Sequence, residues 1–498
     1  MNKSKNFILS IDQSTSATKV MLFDRKSELV HKVSIPHRQY YPRPGFVEHD
    51  AEEIFRNAVA GMQSVVSETG ISATEIAAVS ITNQRETALI WDATTGKPVA
   101  NAAVWQCQRG AEFCHILKSR GLSSMIQEKT GLITDPYFSA SKLWWMINNI
   151  KGIKELAAEM KLLWGTIDSW LLWKLTGGKV HATDYTNACR TLLFNINTLG
   201  WDDELKDLFE LNGLKFPDIR YSDDIFGYTD PSVVFDEPLP VSGLTGDSHG
   251  AFFGHQCFMP GVGKATYGTG SSVMMNIGAR PLPPPHGLVT SVGYGTKNEI
   301  AFVFEGNIHC TGDTVSWLKN EMQLIKSASE SEELAVSVSG NNGVYLVPAF
   351  VGLGAPYWDN EARACITGMG RDTTKAHVVR AALESIAYQV KDLANLMGSC
   401  GEISLSSLRA DGGVTRNKFL MQFQADVLHG SVERSGIEEV SALGSAFLAG
   451  LGTGFWKDME EIEHLHKPEK VFTPSMSPVK ADELYTGWKS AVAKSQLK

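Results

Sequence analysis

Residues 6–24 read Asn-Phe-Ile-Leu-Ser-Ile-Asp-Gln-Ser-Thr-Ser-Ala-Thr-Lys-Val-Met-Leu-Phe-Asp. Two β-rich runs, Asn6 to Asp12 and Thr18 to Asp24, flank a short polar turn from Gln13 to Ala17, and a third run follows from Glu28 to Ile35. This pattern predicts an antiparallel meander. A helix opening near Asp50 and a strand from Ile76 to Thr82 add βα units to it, the mixture found in α/β domains. Helices are also expected over Ser139 to Asn149 and Ile167 to Leu175.

The second half repeats the style of the first. Thr266 to Ile277 holds a Gly-rich turn and then an alternating strand, and Leu408 to Gly413 is a short strand ending in Asp-Gly-Gly. A helix from Arg416 to Leu428 should place Phe419, Phe423 and Val427 on one face and close at Gly430. Between these, Thr374 to Leu396 carries Val379, Leu383, Ile386, Val390 and Leu393 at the spacing of a long core helix. A chain of 498 residues, 43% apolar, exceeds one core and suffices for two. The expected division is 1–252 and 253–498, with the boundary in the stretch from Gly250 to Gly261 and a cleft between the parts.

Bulk properties exclude several function classes. A formal net charge of -9 gives no basic face for nucleic acid or an anionic membrane. Seven cysteines without a CxxC pair suit reduced thiols. The apolar stretch from Phe7 to Ile11 runs into Asp12, too short for a signal peptide or a membrane span, so a cytoplasmic protein is expected. The tryptophans of Leu143-Trp144-Trp145 and Trp170-Leu171-Leu172-Trp173 have helical spacing and no basic neighbours, which points to core packing rather than base stacking.

Three turns share a composition: Asp12-Gln13-Ser14-Thr15-Ser16 with Lys19 behind it, Tyr267-Gly268-Thr269-Gly270-Ser271, and Asp411-Gly412-Gly413. Glycine admits close approach of the backbone to phosphate oxygens, and successive N–H groups form an anion-binding concavity. Any one of them is an ordinary turn. Three at strand ends, in two halves that begin alike, point to a nucleoside triphosphate. Asp12 at its strand end suits Mg²⁺ held through water, and Lys19 suits the charge of a transferring phosphoryl group. The chain has no GxxxxGK[ST] loop and no protein-kinase Gly-rich loop.

The chain resembles the FGGY family of carbohydrate kinases, and most closely its glycerol kinases. The resemblance rests on Pro44 to Asp50, Ile81 to Thr87, Trp105-Gln106, Asp135-Pro136-Tyr137, Gly165 to Asp168, Val347 to Phe350 and Ala355 to Asp359. It runs from about Ile8 to about Asp458 and includes both family signatures, Tyr137 to Asn149 around Lys142 and Trp145, and Ala364 to Glu384 around Gly368 and His377. It implies two actin- and hexokinase-like domains with ribonuclease-H-like cores, and ATP and Mg²⁺ in the cleft between them. By position, it implies Asp247 as the general base, and Arg85, Glu86, Trp105, Tyr137 and Asp247 as polyol contacts, with Ser248 and Ser272 beside them. The nucleotide side would comprise Ser14, Thr15, Ser16, Lys19, Gly268, Thr269, Gly312, Ser316, Gly413 and Asn417. A carboxylate base is reasonable, since an alcohol becomes a nucleophile as its proton leaves. Arg85 and Glu86 offer a donor and an acceptor side by side, and Trp105 offers an apolar wall.

Four positions depart from the glycerol kinase pattern: Ser248 for Gln, Ser272 for Phe, Cys107 for Asp, and Ser14 for Gly, with Lys19 in place of Arg besides. The first two remove bulk from the polyol side. Glycerol is the first expectation, a four- or five-carbon polyol or ketose (erythritol, threitol, erythrulose, xylulose) the second, and a non-catalytic ATP-binding, actin-like regulatory protein a third of another class. His249 beside Asp247 is expected to face away from the site. A homo-oligomer, dimer or tetramer, is the default for a soluble enzyme.

Overall fold

The structure is a computed structural model describing residues 5–400, 403–465 and 468–497. The opening meander forms as expected: β1 (Phe7–Gln13), β2 (Ala17–Asp24) and β3 (Leu29–Pro36) pair antiparallel in turn. Beside β1 lies β4 (Ile76–Asn83), parallel to it, and the sheet continues through β6 (Pro240–Gly246), parallel to β4, to an antiparallel edge strand, β5 (Ile225–Tyr228). Its order is β5-β6-β4-β1-β2-β3. Helix α1 (Ala51–Thr69) covers one face; the Asp50 carboxylate accepts from the Glu52 N–H at its start and Gly70 ends it at φ 70°. A second six-stranded sheet of short strands, including Glu48–His49, Ala88–Asp92, Ala102–Ala103 and Leu162–Thr166, packs with helix α2 (Ser139–Asn149), and Trp105 and Tyr137 lie on the loops beside it.

After α3 (Asp247–Gly254) the pattern recurs. In the second sheet, β7 (Val262–Tyr267) and β8 (Ser271–Gly278) form a hairpin, β9 (Val289–Gly295) and β10 (Ile300–Ile308) extend it, and β11 (Ser407–Asp411) and β12 (Ser431–Arg434) run parallel to β7 before the edge strand β13 (Lys470–Phe472). The order β9-β10-β8-β7-β11-β12-β13 contains the same core as the first sheet, a strand with an antiparallel pair on one side and a parallel pair on the other. Both halves are therefore one design used twice, with parallel strand ends free to carry loops.

Strand periodicity sorts the second sheet chemically. Ala265, Tyr267, Val273, Met275, Phe304, Leu408 and Ala410 face a core built with α5 (Lys375–Gly398) and α6 (Lys418–Leu428). The registers Thr266↔Ser272, Ser272↔Asn307, Met274↔Glu305 and Thr266↔Asp411 put Lys264, Thr266, Ser272, Glu305, Asn307 and Asp411 on the other face. Lower on that face, Met274 and Val303 pack with Phe252 and Phe253 of α3. The polar end of the face looks toward the first half.

The long helix expected over Thr374 to Leu396 is α5, with Val379, Leu383, Ile386, Val390 and Leu393 all fully buried. The helix expected from Arg416 starts two residues later: Gly413–Arg416 take a 3₁₀ turn, and Asn417 caps α6 by accepting from the Leu420 N–H. It closes at His429, at φ 57°, one residue before Gly430. The helix after that, α7 (Val440–Thr453), crosses back and packs on the first sheet, where Ser10 Oγ meets the Ala442 carbonyl at 3.1 Å and Ser80 Oγ meets Ser445 Oγ at 3.0 Å. Lying between both halves and α3, it is buried over Ala442–Gly450 on every side. The expected division at 252 and 253 passes inside α3, so α3 and α7 are the two crossing elements.

Candidate active site

Strands β1, β4 and β6 end level with one another, with Asp12 opposite Thr82 and Thr82 opposite Thr245. Asp12 and Asp247, the first residue of α3, therefore project from one sheet edge, where ligands of parallel sheets gather. Asp247 is 38% exposed; its Oδ1 accepts from the Ser248 N–H at 2.6 Å and lies 3.4 Å from Arg85 Nε.

Arg85 and Glu86 follow β4 in a tight turn in which the Thr87 N–H reaches the Arg85 carbonyl at 2.7 Å while Glu86 sits at φ 63°. A non-glycine residue held there is strained, and such strain collects at sites where a side chain must be aimed. Ser139 Oγ pins the turn through the Glu86 carbonyl at 3.0 Å. The pair is buried rather than a surface ion pair, and both side chains have partners: Arg85 donates both Nη groups to Glu305, and Glu86 takes Arg190 Nε at 2.7 Å. Burial raises the Glu86 pKa, opposed by Arg85 and Arg190. Trp105 and Tyr137 form the apolar wall, rings 5.5 Å apart and inclined at 60°. Trp105 Nε1 also donates to Thr15 Oγ1 at 3.0 Å, which joins the wall to the first phosphate turn. Behind Tyr137, the buried Lys142 ammonium caps the carbonyls of Pro136, Tyr137 and Phe138. Burial pushes Lys142 down to about 8, with Glu86 opposing.

In the first turn, Ser14 closes on itself, its N–H and hydroxyl both bonded to the Ala17 carbonyl at 2.9 Å, so the side chain that replaces glycine points away from Thr15 and Ser16. Lys19 lies 3.9 Å from Asp12 and 2.7 Å from Glu439 at the start of α7, a residue of the second half. Asp12 is pushed up to about 7, first by burial, with Lys19 opposing and Asp247 and Glu439 adding to it. A buried carboxyl whose one nearby lysine does not offset its burial, and which is near Asp247 and Glu439, fits a hard dication held mainly through water and phosphate. No three His, Cys, Asp or Glu side chains converge as a direct metal cage among the described residues.

The second and third turns touch each other. The Gly312 N–H bonds to the Gly268 carbonyl and the Thr311 N–H to that of Thr269, tying the start of α4 (Gly312–Asn320) to the β7–β8 hairpin. At Gly412, φ 96°, a Cβ would stand 2.3 Å from the Tyr267 carbonyl oxygen, so only glycine lets β11 end against this hairpin. Together they wall a cavity of about 520 Å³ lined by all six expected residues of this half: Gly268, Thr269, Gly312, Ser316, Gly413 and Asn417. Val315, Leu383 and Val414 give it apolar sides. Such a volume with a few polar groups at one end is that of a small-molecule site.

Ser248 and Ser272 are half-buried, and Ser272 Oγ receives the buried Lys264 ammonium at 3.4 Å, which also donates to Thr266 at 3.2 Å. Burial lowers the Lys264 pKa, offset by Asp411, Glu305 and Asp247, so this lysine senses both sheet edges. Cys107 is an acceptor, 3.0 Å from Arg109 Nε. His249 is buried, and neither ring nitrogen has a hydrogen-bond partner among the described residues. The segment is helical and not extended, and two residues along a helix still turn it about 200° from Asp247. Arg190, Lys264, Glu305 and Glu439 were not among the expected site residues. Arg190, Lys264 and Glu305 are lone charges in or beside apolar runs, such as Ala301-Phe302-Val303-Phe304-Glu305, where a charge requires a buried partner, and Glu439 follows Glu438 just before the apolar run of α7.

Comparison with known proteins agrees with this geometry. The N-terminal domain of the FGGY family of carbohydrate kinases matches residues 7–254, and its C-terminal domain matches residues 263–453. The chain is 51% identical to Glycerol kinase 1 of Thermotoga maritima, over 98% of this chain and 99% of that one, and 46% identical to a glycerol kinase of Bacillus anthracis, over 98% of each. The crystal structure of Plasmodium falciparum glycerol kinase with ADP matches at TM-score 0.94 and 36% identity over 99% of both chains. A ligand-bound xylulose kinase from Lactobacillus acidophilus shares the fold, TM-score 0.87 at 22% identity over 98% of both chains.

Proposed function

Because this chain belongs to the FGGY family of carbohydrate kinases, we propose that it transfers the γ-phosphoryl group of ATP to a primary hydroxyl of glycerol, giving glycerol 3-phosphate and ADP. The observation that carries this reading is the placement of Asp247 with Arg85 and Glu86 at one sheet edge, beside the Trp105–Tyr137 wall and facing the half that holds the glycine-lined cavity. Residues 1–252 hold the polyol, the first phosphate turn and the base; residues 253–498 bind the nucleotide.

Asp247 accepts the hydroxyl proton as the alcohol oxygen closes on the γ-phosphorus, and the bond to the β,γ-bridging oxygen breaks with ADP leaving. Backbone N–H groups of Thr269, Gly413 and the Thr15–Ser16 turn take phosphate oxygens, while Gly268, whose N–H already donates to the Gly270 carbonyl, lets the backbone come close to them; Ser316 and Asn417 border the nucleoside, and Lys19 adds positive charge. Asp12 would hold Mg²⁺ through water, and that ion supplies charge neutralisation to the phosphates. Trp105 and Tyr137 exclude water from the carbon chain. The enzyme is read as cytoplasmic, free of nucleic acid, and a symmetric dimer or tetramer; among the described residues no helix is long and apolar enough to cross a membrane.

Ser272 with Lys264 favours one second reading. A hydroxyl and an ammonium on the cleft face suit an oxygen further along a four- or five-carbon polyol or ketose. The test is ADP release against glycerol, erythritol, threitol, dihydroxyacetone, erythrulose and xylulose. Highest kcat/KM on glycerol is expected; highest on a four- or five-carbon compound moves the assignment to the second reading. Silence on all of them with ATP still bound would favour a regulatory, non-catalytic protein.

A further inference from the structure

Four charged side chains from three separate stretches of chain close on one another beneath the polyol side of the cleft. Glu305, on β10 of the second half, takes both terminal nitrogens of Arg85, Nη2 at 2.8 Å and Nη1 at 3.0 Å, and its Oε2 lies 2.9 Å from Arg190 Nη1. Arg190 turns its Nε to Glu86 Oε1 at 2.7 Å and donates to Ser291 Oγ at 2.9 Å. Arg85, Glu86, Arg190 and Glu305 are 5%, 1%, 2% and 1% exposed, and their formal charges cancel. Against burial, Arg190 and Arg85 hold the Glu305 carboxyl far below its ordinary range, so the pairing is ionic.

A guanidinium is a rigid planar fork, and a bidentate carboxylate fixes the rotation of that plane. Both hydrogen bonds that the Arg85 guanidinium makes among the described residues go to Glu305, and the Nε edge left over is the one 3.4 Å from Asp247. An arginine of the first half is thus aimed by a carboxylate of the second.

Resting on the phosphorylation reading above, we propose that Glu305 is a positioning residue for polyol selection: it sets the Arg85 guanidinium plane so that the Nε edge reads a substrate hydroxyl, while Arg190 holds Glu86 in the matching attitude. The register of the two halves then enters the polyol pocket directly. Polyol affinity is coupled to correct seating of the second sheet, through a contact that never touches the nucleotide cavity.

The test compares wild type with Glu305→Gln and Glu305→Asp, using glycerol, propane-1,2-diol and propane-1,3-diol as acceptors. Wild-type turnover of glycerol checks the phosphorylation reading separately; if another polyol is preferred, that polyol and its deoxy analogues replace glycerol. Glu305→Gln is expected to raise the glycerol KM more than tenfold, with the ATP KM and ADP affinity within threefold of wild type. Its preference for glycerol over at least one of the two diols should fall by a similar factor, because the lost interaction is with a single hydroxyl. Glu305→Asp, which keeps the charge, should fall between. The proposal is overturned if glycerol and ATP KM move together, if glycerol KM stays within threefold, or if neither diol ratio changes. Should Glu305→Gln fail to bind ADP, and so to fold, the same criteria apply to Glu305→Asp with a fivefold rise in glycerol KM expected. A wild type silent on every polyol removes the phosphorylation reading and this proposal with it.

Discussion

Asp12 is a residue at which folding and function oppose each other. Its carboxyl is raised from 3.8 to about 7, chiefly by burial, so between those values the folded protein binds a proton that the unfolded chain does not. By linkage, stability contributed at this site falls as pH rises from about 4 to 7 and is flat above. Asp12→Asn is therefore expected to stabilise the ligand-free protein at pH 8 by on the order of 1–3 kcal/mol, the gain fading as pH approaches 4. Paired thermal melts at both pH values check this, and an equal effect at the two would contradict it; Mg²⁺ with ATP should reverse the order at pH 8. Asp247 after Gly246 and the Gly-Thr-Gly turn were recognisable as candidates from their immediate neighbours in the chain. Glu305, Arg190 and Glu439 were not, because their ion-pair partners lie more than 100 residues away, and Lys264 was not, because the charges around it come together only in the folded sheet edges.

Among elements, α2 and α7 have the most specific demands. The ammonium of Lys142 on α2 satisfies three carbonyls that hold Tyr137, so Lys142→Met leaves buried acceptors unmet. It should cost about 2–4 kcal/mol in urea unfolding. It should also raise the glycerol KM severalfold while leaving ADP affinity alone. In α7, a Cβ at Gly444 would stand 1.8 Å from the Gly250 carbonyl of α3. Gly444→Ala must push the two crossing helices apart, an expected loss of about 3 kcal/mol; an unchanged urea midpoint would show that the crossing yields freely. Long periodic elements were legible for the same reason that they are stable: the five apolar positions of α5 define a core face on their own. The sheet that carries Trp105 was not, since strands of two residues such as Glu48–His49 and Ala102–Ala103 have no period and exist only through distant partners.

The whole molecule is one α/β design used twice, joined by α3 and α7, with reactive groups at the facing strand ends. Duplication was visible from the chain in the two similar openings, whereas the return of α7 to the first sheet was not, because a helix apolar on every side does not say which neighbours it lies between. Ion pairs tie the halves across the cleft, among them Arg85 and Arg190 with Glu305, and Lys19 and Lys32 with Glu439. The proposed base in one half and the proposed nucleotide cavity in the other predict that chemistry and nucleotide binding separate cleanly under mutation. Asp247→Ala, assayed for glycerol-dependent ADP release alongside ADP affinity, tests this directly. Turnover should fall by about 10²–10⁴-fold, with ADP affinity within threefold of wild type; release within tenfold of wild type, or loss of nucleotide binding in step with turnover, would contradict it.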